Sequence, residues 1–274
     1  MEPNNTGGSR PPFAKNAKVN LVLLQQPEPT NADLRFWIFG THVRVHPLFW
    51  LMSAILGWDL LPLGFQYLAI WVVCVFVSIL IHEFGHIFMG RRFGSEGYIV
   101  LHSFGGLAVA SNSLSSPWKR IAVSAAGPAV QLALYCLLRL IPIDQLPRSP
   151  YLKLTYVFLL DINLYWPLLN LLPIYPLDGG QITRDFLSIF VPRRAVRASL
   201  LISAIVAGII ALNSLSEHYR GPHVPWIYTG GILGAIFFGL MAASNVQALN
   251  QHMERDRWVE RHRFDPDDNE AWRR

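Results

Sequence analysis

Charge is scarce in this chain. Only 15% of its 274 residues are Asp, Glu, Lys or Arg, 52% are hydrophobic, and the mean hydropathy is +0.30. A soluble domain carries about 25% charged residues, so the composition argues against an ordinary soluble protein and for a membrane protein. Cysteine is scarcer still. Cys74 and Cys136 both fall in apolar stretches at no metal-ligand spacing, which makes them packing residues without information on redox compartment. Residues 1–45 lack a basic-then-apolar leader before a small-residue cleavage site, so no signal peptide is expected. There is no internal repeat and no stretch long enough for an added soluble domain.

What the chain does have is apolar blocks: Pro47–Leu63, Tyr67–Ile81, Ile121–Leu138, Leu154–Leu172, Ala198–Leu212 and Trp226–Ala243. With their flanks, most approach the ~20 residues that span a bilayer. The first is the weakest, because Asp59 interrupts it. Charge placement supports six spans all the same. With both termini in the cytoplasm, 19 of the 23 Lys and Arg residues fall on the cytoplasmic side, leaving Arg139, Arg148, Lys153 and Arg220 outside. Positive charge favours the cytoplasmic side of short loops. The net charge of +5 therefore reflects topology, and no nucleic-acid partner is read into it. The expected fold class is an α-helical polytopic membrane protein of about six transmembrane helices, in the cell membrane with both ends cytoplasmic.

The organisation follows from composition. Residues 1–45 form a cytoplasmic segment, disordered over the Asn-, Gly- and Pro-rich Met1–Lys18. In its last part, "LRFWIFGTHVRVH" (Leu34–His46) alternates and is rich in β-branched and aromatic residues, the signature of a strand leading into the first span. Residues 46–190 hold the motifs described next, residues 191–250 two further spans, and residues 251–274 a polar cytoplasmic tail. Between Phe93 and Ser113, two short apolar runs separated by "HSFGG" predict a β-hairpin near the membrane over Gly97–Ala110. The third span opens with Ser124, Ala125, Ala126 and Gly127, small residues that let another helix approach closely.

The second span ends in "SILIHEFGHIFMG" (Ser78–Gly90), where His82, Glu83 and His86 stand among apolar residues. Such groups are costly in hydrocarbon unless paired. His82 and His86 are four residues apart and share a helix face, so they can hold one metal ion. Glu83 projects about 100° further round, close enough to reach a water on that ion without binding the metal. Zn²⁺ with three protein ligands keeps a fourth position for water and lowers its pKa to roughly 7. One zinc ion per chain is the expected cofactor. A proton or ion relay in a transporter would use the same residue types; the ligand spacing favours the metal.

A third ligand is needed. Asp59, Asp144 and Asp185 sit near span ends and read as solvated. Asp161 lies about two to three turns deeper than the cytoplasmic surface on which the six-span topology puts His82. Asp178, in "NLLPIYPLDGG" where two prolines and two glycines break the fourth span, lies at that surface. Asp178 is therefore the expected ligand, and Asp161 a hydrogen-bonding or substrate-path residue. His102 lacks helical spacing to the histidine pair. His42, His46, His218, His223, His252 and His262 sit at span ends or in tails and need no role.

The pairing of "HEFGH" with "NLLPIYPLDGG", together with "AAGP" and the glycines of "SFGGLA", resembles the site-2 protease family of intramembrane zinc metalloproteases over roughly Val43 to Arg184. The resemblance implies zinc ligands at His82, His86 and Asp178 and a general base at Glu83. It also puts Asn170 near the substrate or the metal-bound water; the competing reading of Asn170 is a hydrogen bond between helices. It implies peptide hydrolysis within or beside the bilayer, on membrane-anchored proteins such as anti-sigma factors or other membrane-tethered regulators. An unwound substrate would then pair with the edge of the Gly97–Ala110 hairpin; the competing reading of the hairpin is a purely structural one. No PDZ-like insertion and no CBS pair is present in the sequence. Asn163, seven residues before Asn170, reads as structural.

Overall fold

The computed structural model describes residues 27–103, 105–110, 114–218 and 231–262. The expectation of disorder over Met1–Lys18 lies outside these residues, as do His223 and the last part of the 251–274 tail. The chain divides into two compact units. One comprises Val22–Ser199 and contains every motif discussed above; the other includes the chain from Leu200 onward.

In the first unit, β1 (Leu34–Ile38) and β2 (Thr41–Val45) form an antiparallel hairpin around Phe39 and Gly40. Both turn residues have positive φ, 50° and 67°, as a two-residue turn between twisted strands requires. The stretch expected to be one strand is thus two. Helix α1 (Pro47–Leu56) follows, with the His46 Nδ1 accepting from the Leu48 N–H at 3.2 Å as its cap. A 3₁₀ segment, Trp58–Leu63, leads into the long helix α2 (Phe65–Arg92). Strands β3 (Gly97–His102) and β4 (Gly105–Ala110) form the expected hairpin. The two hairpins join through a parallel pairing of β2 with β3, Val43 opposite Ile99 and Val45 opposite Leu101, to give one sheet in the order β1-β2-β3-β4. Helices α3 (Pro117–Leu138), α4 (Pro150–Asn170) and α5 (Asp178–Phe190) complete the unit.

The core lies where the central strands meet α1, α2 and α4. Val43, Val45, Ile99 and Leu101 of the sheet pack with Phe49, Cys74, Val75, Ile79, Phe84, Ile87, Phe158 and Ile162. The sheet is tied to one end of α2. Arg91 donates to the carbonyls of Phe39 and Gly40, at 2.6 and 2.7 Å, and to the Thr41 hydroxyl at 2.9 Å. Phe39 also stacks edge-on against Phe84. The β1–β2 turn is therefore clamped to the helical turns that carry the histidines.

From Leu200 onward lie most of α6 (Ala195–His218) and all of α7 (Gly231–His262), the latter running past residue 250 into the stretch read as a tail. Two of their buried polar side chains bond back to their own helix: Ser214 donates to the Ile210 carbonyl and Asn245 to the Met241 carbonyl, four residues back in each case.

Among the described residues, four helices are long and apolar enough to cross a membrane: α2, α3, α6 and α7. Helix α4 has 21 residues, the required length, but Lys153, Asp161, Asn163 and Asn170 dilute its apolar character. The first block does not form one long helix. Gly57 ends α1 after ten residues, about 15 Å of rise against the ~30 Å hydrocarbon core. Two other expectations change as well. Cys74 is buried as a packing residue, but Cys136 is exposed on α3. Asp185 is not solvated: it is 3% exposed and ion-paired with Arg120 at 3.0 Å and Arg184 at 3.3 Å.

Candidate metal centre

Three side chains from two distant parts of the sequence meet at the C-terminal half of α2. His82 Nε2 lies 3.1 Å from Asp178 Oδ2, His86 Nε2 lies 3.4 Å from Asp178 Oδ1, and the two Nε2 atoms are 3.1 Å apart. All three residues are buried, at 3%, 8% and 8% exposure. Their ligand atoms lie within 4.8 Å of one another, and among the described residues they are the one group of His, Cys, Asp and Glu able to hold a metal ion.

Local sequence explains the convergence. In α2 the helical period puts His82 and His86 on one face, toward α3. Gly85 lies on the same side, and a Cβ there would run into the Ala126 carbonyl and Gly127 of α3. Gly127 in turn faces both imidazoles, and a Cβ on it would occupy the space beside their Nε2 atoms. The small residues of the third span thus do what their size predicts, letting two helices touch at the histidines. Asp178 is the first residue of α5, not the frayed end of α4. Its aim comes from Gly179 and Gly180, whose α-carbons pack against the backbone of Leu171, Leu172, Ile174 and Tyr175. Neither glycine has a positive φ among those that do, so close approach rather than conformational freedom demands glycine here.

The donor set fits a zinc ion. His86 Nδ1 is 2.7 Å from the Val123 carbonyl, which only accepts, so Nδ1 carries the proton and Nε2 offers its lone pair to the shared space. Two imidazole nitrogens and a carboxylate make a three-ligand set that zinc accepts with a fourth position left over. Glu83 is 4% exposed. Its carboxylate accepts from the Ala108 backbone N–H of β4 and packs against Gly106, where a Cβ would collide with it.

The remaining residues separate clearly. Asp161 is exposed and lines an apolar cavity of about 290 Å³ with Trp71, Val75, Ile162, Tyr165 and Trp166, apart from the metal-facing group. His102 is buried near His46 and Arg44; burial, and then those two neighbours, push its imidazole below the ordinary histidine range. Asn170 ends α4, with its amide nitrogen donating to the Trp166 carbonyl of the same helix at 3.0 Å. Asn163 donates to the Ser78 hydroxyl at 3.0 Å, as a residue joining helices does. Sequence reasoning passed over Gln131, which is fully buried and 2.8 Å from His82 Nδ1. The signal was present: it is a lone amide in an apolar span, one helical turn after Gly127.

No family model matches the chain. Among curated proteins it is 38% identical over 112 residues to a provisionally named zinc metalloprotease of Synechocystis sp., covering 40% of this chain and 29% of that one. It is 30% identical over 156 residues to the zinc metalloprotease MJ0392 of Methanocaldococcus jannaschii, covering 56% of this chain and 44% of that one. A provisionally named zinc metalloprotease of Mycobacterium tuberculosis, Rip3, is 29% identical over 166 residues, 55% of this chain and 41% of its own. The chain thus spans less than half the length of these relatives. Among solved structures, it matches the site-2 protease of Methanocaldococcus jannaschii with a TM-score of 0.53 and 24% identity, over 79% of this chain and 95% of that one. The fold is that of a site-2 protease, and the resemblance carried by the two motifs stands. The relay reading of the same residues is not favoured.

If Asp178 completes the ligand set and Asp161 does not, Asp178→Ala will lower bound zinc far more than Asp161→Ala. Zinc content of the two purified variants checks this, and the reverse order would overturn the assignment.

Proposed function

We propose that the chain is an intramembrane zinc metalloprotease that hydrolyses peptide bonds of membrane-anchored proteins within or beside the bilayer. The observation that carries the reading is the convergence of His82, His86 and Asp178, with Glu83 buried at the position after His82 on the same helix. His82, His86 and Asp178 would hold the zinc ion. When bound, zinc supplies Lewis-acid polarisation of the scissile carbonyl and lowers the pKa of water at the site.

Glu83 is the general base of this proposal. It takes a proton from the attacking water and returns it to the leaving amine nitrogen as the peptide bond breaks. The Ala108 N–H and Gly106 hold its carboxylate against β4, so it does not swing with its own rotamer freedom. Burial of the group excludes bulk water from the proton transfer. A helical substrate hides its peptide groups in its own hydrogen bonds and must unwind before cleavage. Strand β4 pairs only with β3 within the described sheet and leaves an edge to receive an extended segment. That edge runs beside Glu83, which supports its role as the docking strand. Membrane-tethered regulators such as anti-sigma factors are the substrate class in this reading. Asn170 is assigned to orienting the bound substrate.

The topology we propose keeps the six membrane-embedded segments, with both termini cytoplasmic in the cell membrane. Helix α4 supplies the fifth. The broken segment Pro47–Leu63 supplies the sixth, supported by the lipid-like face of Leu48, Leu51, Ile55, Leu56, Trp58 and Leu63, all exposed. Reporters fused after Arg274 and near Pro192 will both read as cytoplasmic; a signal from the opposite side at either position would break this topology.

Glu83→Gln keeps the ligands and removes the base. The purified variant should retain zinc and lose cleavage of a membrane-anchored substrate, and its membrane proteome should accumulate the uncut proteins. Cleavage at a near-normal rate would take Glu83 out of the mechanism. Asn170→Ala should keep zinc and lose at least ~10-fold in turnover, below the 10²–10³ of a lost oxyanion donor because a positioning role is weaker. Zinc content, melting temperature and cleavage rate on one preparation decide it. A destabilised variant that cuts normally would make Asn170 purely structural.

A further inference from the structure

We propose that Gln131 is the positioning residue for His82: it fixes which ring nitrogen holds the proton and keeps Nε2 open toward a metal ion. The inference rests on the zinc reading above and adds to it a residue that neither motif contains.

The geometry leaves little freedom. Gln131 Nε2 lies 3.1 Å from the Ser78 backbone carbonyl, and Gln131 Oε1 lies 2.8 Å from His82 Nδ1. An amide can be turned over, but the reversed orientation would set two acceptor oxygens against each other at Ser78 with no water to intervene, since Gln131 is 0% exposed. The carbonyl only accepts, so the Gln131 NH₂ must face it. The Gln131 oxygen then faces His82, and it too only accepts. Nδ1 of His82 must therefore carry the ring proton. A neutral imidazole has one N–H, so Nε2 presents a lone pair at the point where it meets Asp178 Oδ2 and His86 Nε2, 3.1 Å from each.

The two histidines reach the same tautomer by different routes. The main-chain carbonyl of Val123 holds His86 directly, whereas a replaceable side chain relays the Ser78 carbonyl to His82. Without Gln131, the His82 Nδ1–H would be buried with no acceptor. The proton would then favour Nε2, where it can bond to Asp178 and compete with a metal ion for both ligands. Asn163 is not part of this relay, because it touches the Ser78 hydroxyl and the Leu159 carbonyl rather than the carbonyl that orients Gln131.

The test is zinc affinity of the purified full chain, measured by competition with a chelator, beside the melting temperature of the metal-free protein. Gln131→Met keeps the volume and removes the acceptor; it should bind zinc ~10–100-fold more weakly, the range for a lost partner of a metal-bound histidine. Gln131→Glu should recover most of that loss, because a protonated carboxyl can donate to Ser78 and accept from His82 Nδ1. Asn163→Leu should lower the melting temperature while leaving zinc affinity near wild type. If Gln131→Met fails to fold, Gln131→Asn serves in its place: one methylene shorter, it cannot reach both partners and should show the same weakening. Wild-type affinity in the Met or Asn variant would overturn the proposal, and so would an equal loss of affinity in Asn163→Leu. A wild-type protein that binds no zinc would instead overturn the metal reading beneath it.

Discussion

One carboxylate facing two imidazoles, with Asp178 and His82 separated by 96 positions in the chain, is the constraint on which the structure depends. A carboxylate at 8% exposure among apolar helices is too costly to stand alone. Two imidazole nitrogens that both present lone pairs 3.1 Å apart would also repel each other. A doubly charged ion held by the three residues would offset all three groups at once. The same arrangement therefore explains why polar residues are kept at this depth and why they sit within 4.8 Å of one another.

Such closeness is possible only because backbone replaces side chain around the centre. Gly85 and Gly127 let α2 and α3 touch at the histidines, Gly179 and Gly180 fold the 171–175 loop onto the start of α5, and Gly106 admits Glu83 to the sheet. Four different elements meet the site through glycine. Each added methyl would displace backbone rather than the flexible end of a side chain, except at Gly106 and Gly127, where it would displace the reactive groups themselves.

The sequence displayed the chemistry more openly than the architecture. His82, Glu83 and His86 were legible because helical period is a local property, and Asp178 because few carboxylates lie in apolar surroundings. The hairpin over Gly97–Ala110 was legible from two apolar runs around a glycine turn. The single four-stranded sheet was not. Its central pairing joins residues 43–45 to 99–101 in parallel, across α1 and α2, and neither strand contains a signal for a partner so far away. Burial of Asp185 was hidden for a related reason, since its partner Arg120 lies 65 residues earlier. The first apolar block, already the weakest in sequence because of Asp59, is divided at Gly57, where α1 ends and the 3₁₀ segment containing Pro62 begins.

The unforeseen sheet also bears on Glu83, the proposed base. A glutamate on α2 alone would face the ligand cluster through a flexible side chain. Here the Ala108 N–H of β4 holds it, β4 is held in register by β3, β3 by β2, and the β1–β2 turn returns to α2 through Arg91. The loop of contacts closes on the helix that bears Glu83, His82 and His86. A substrate segment pairing with β4 would press on the strand that positions Glu83, so docking and proton transfer share one element.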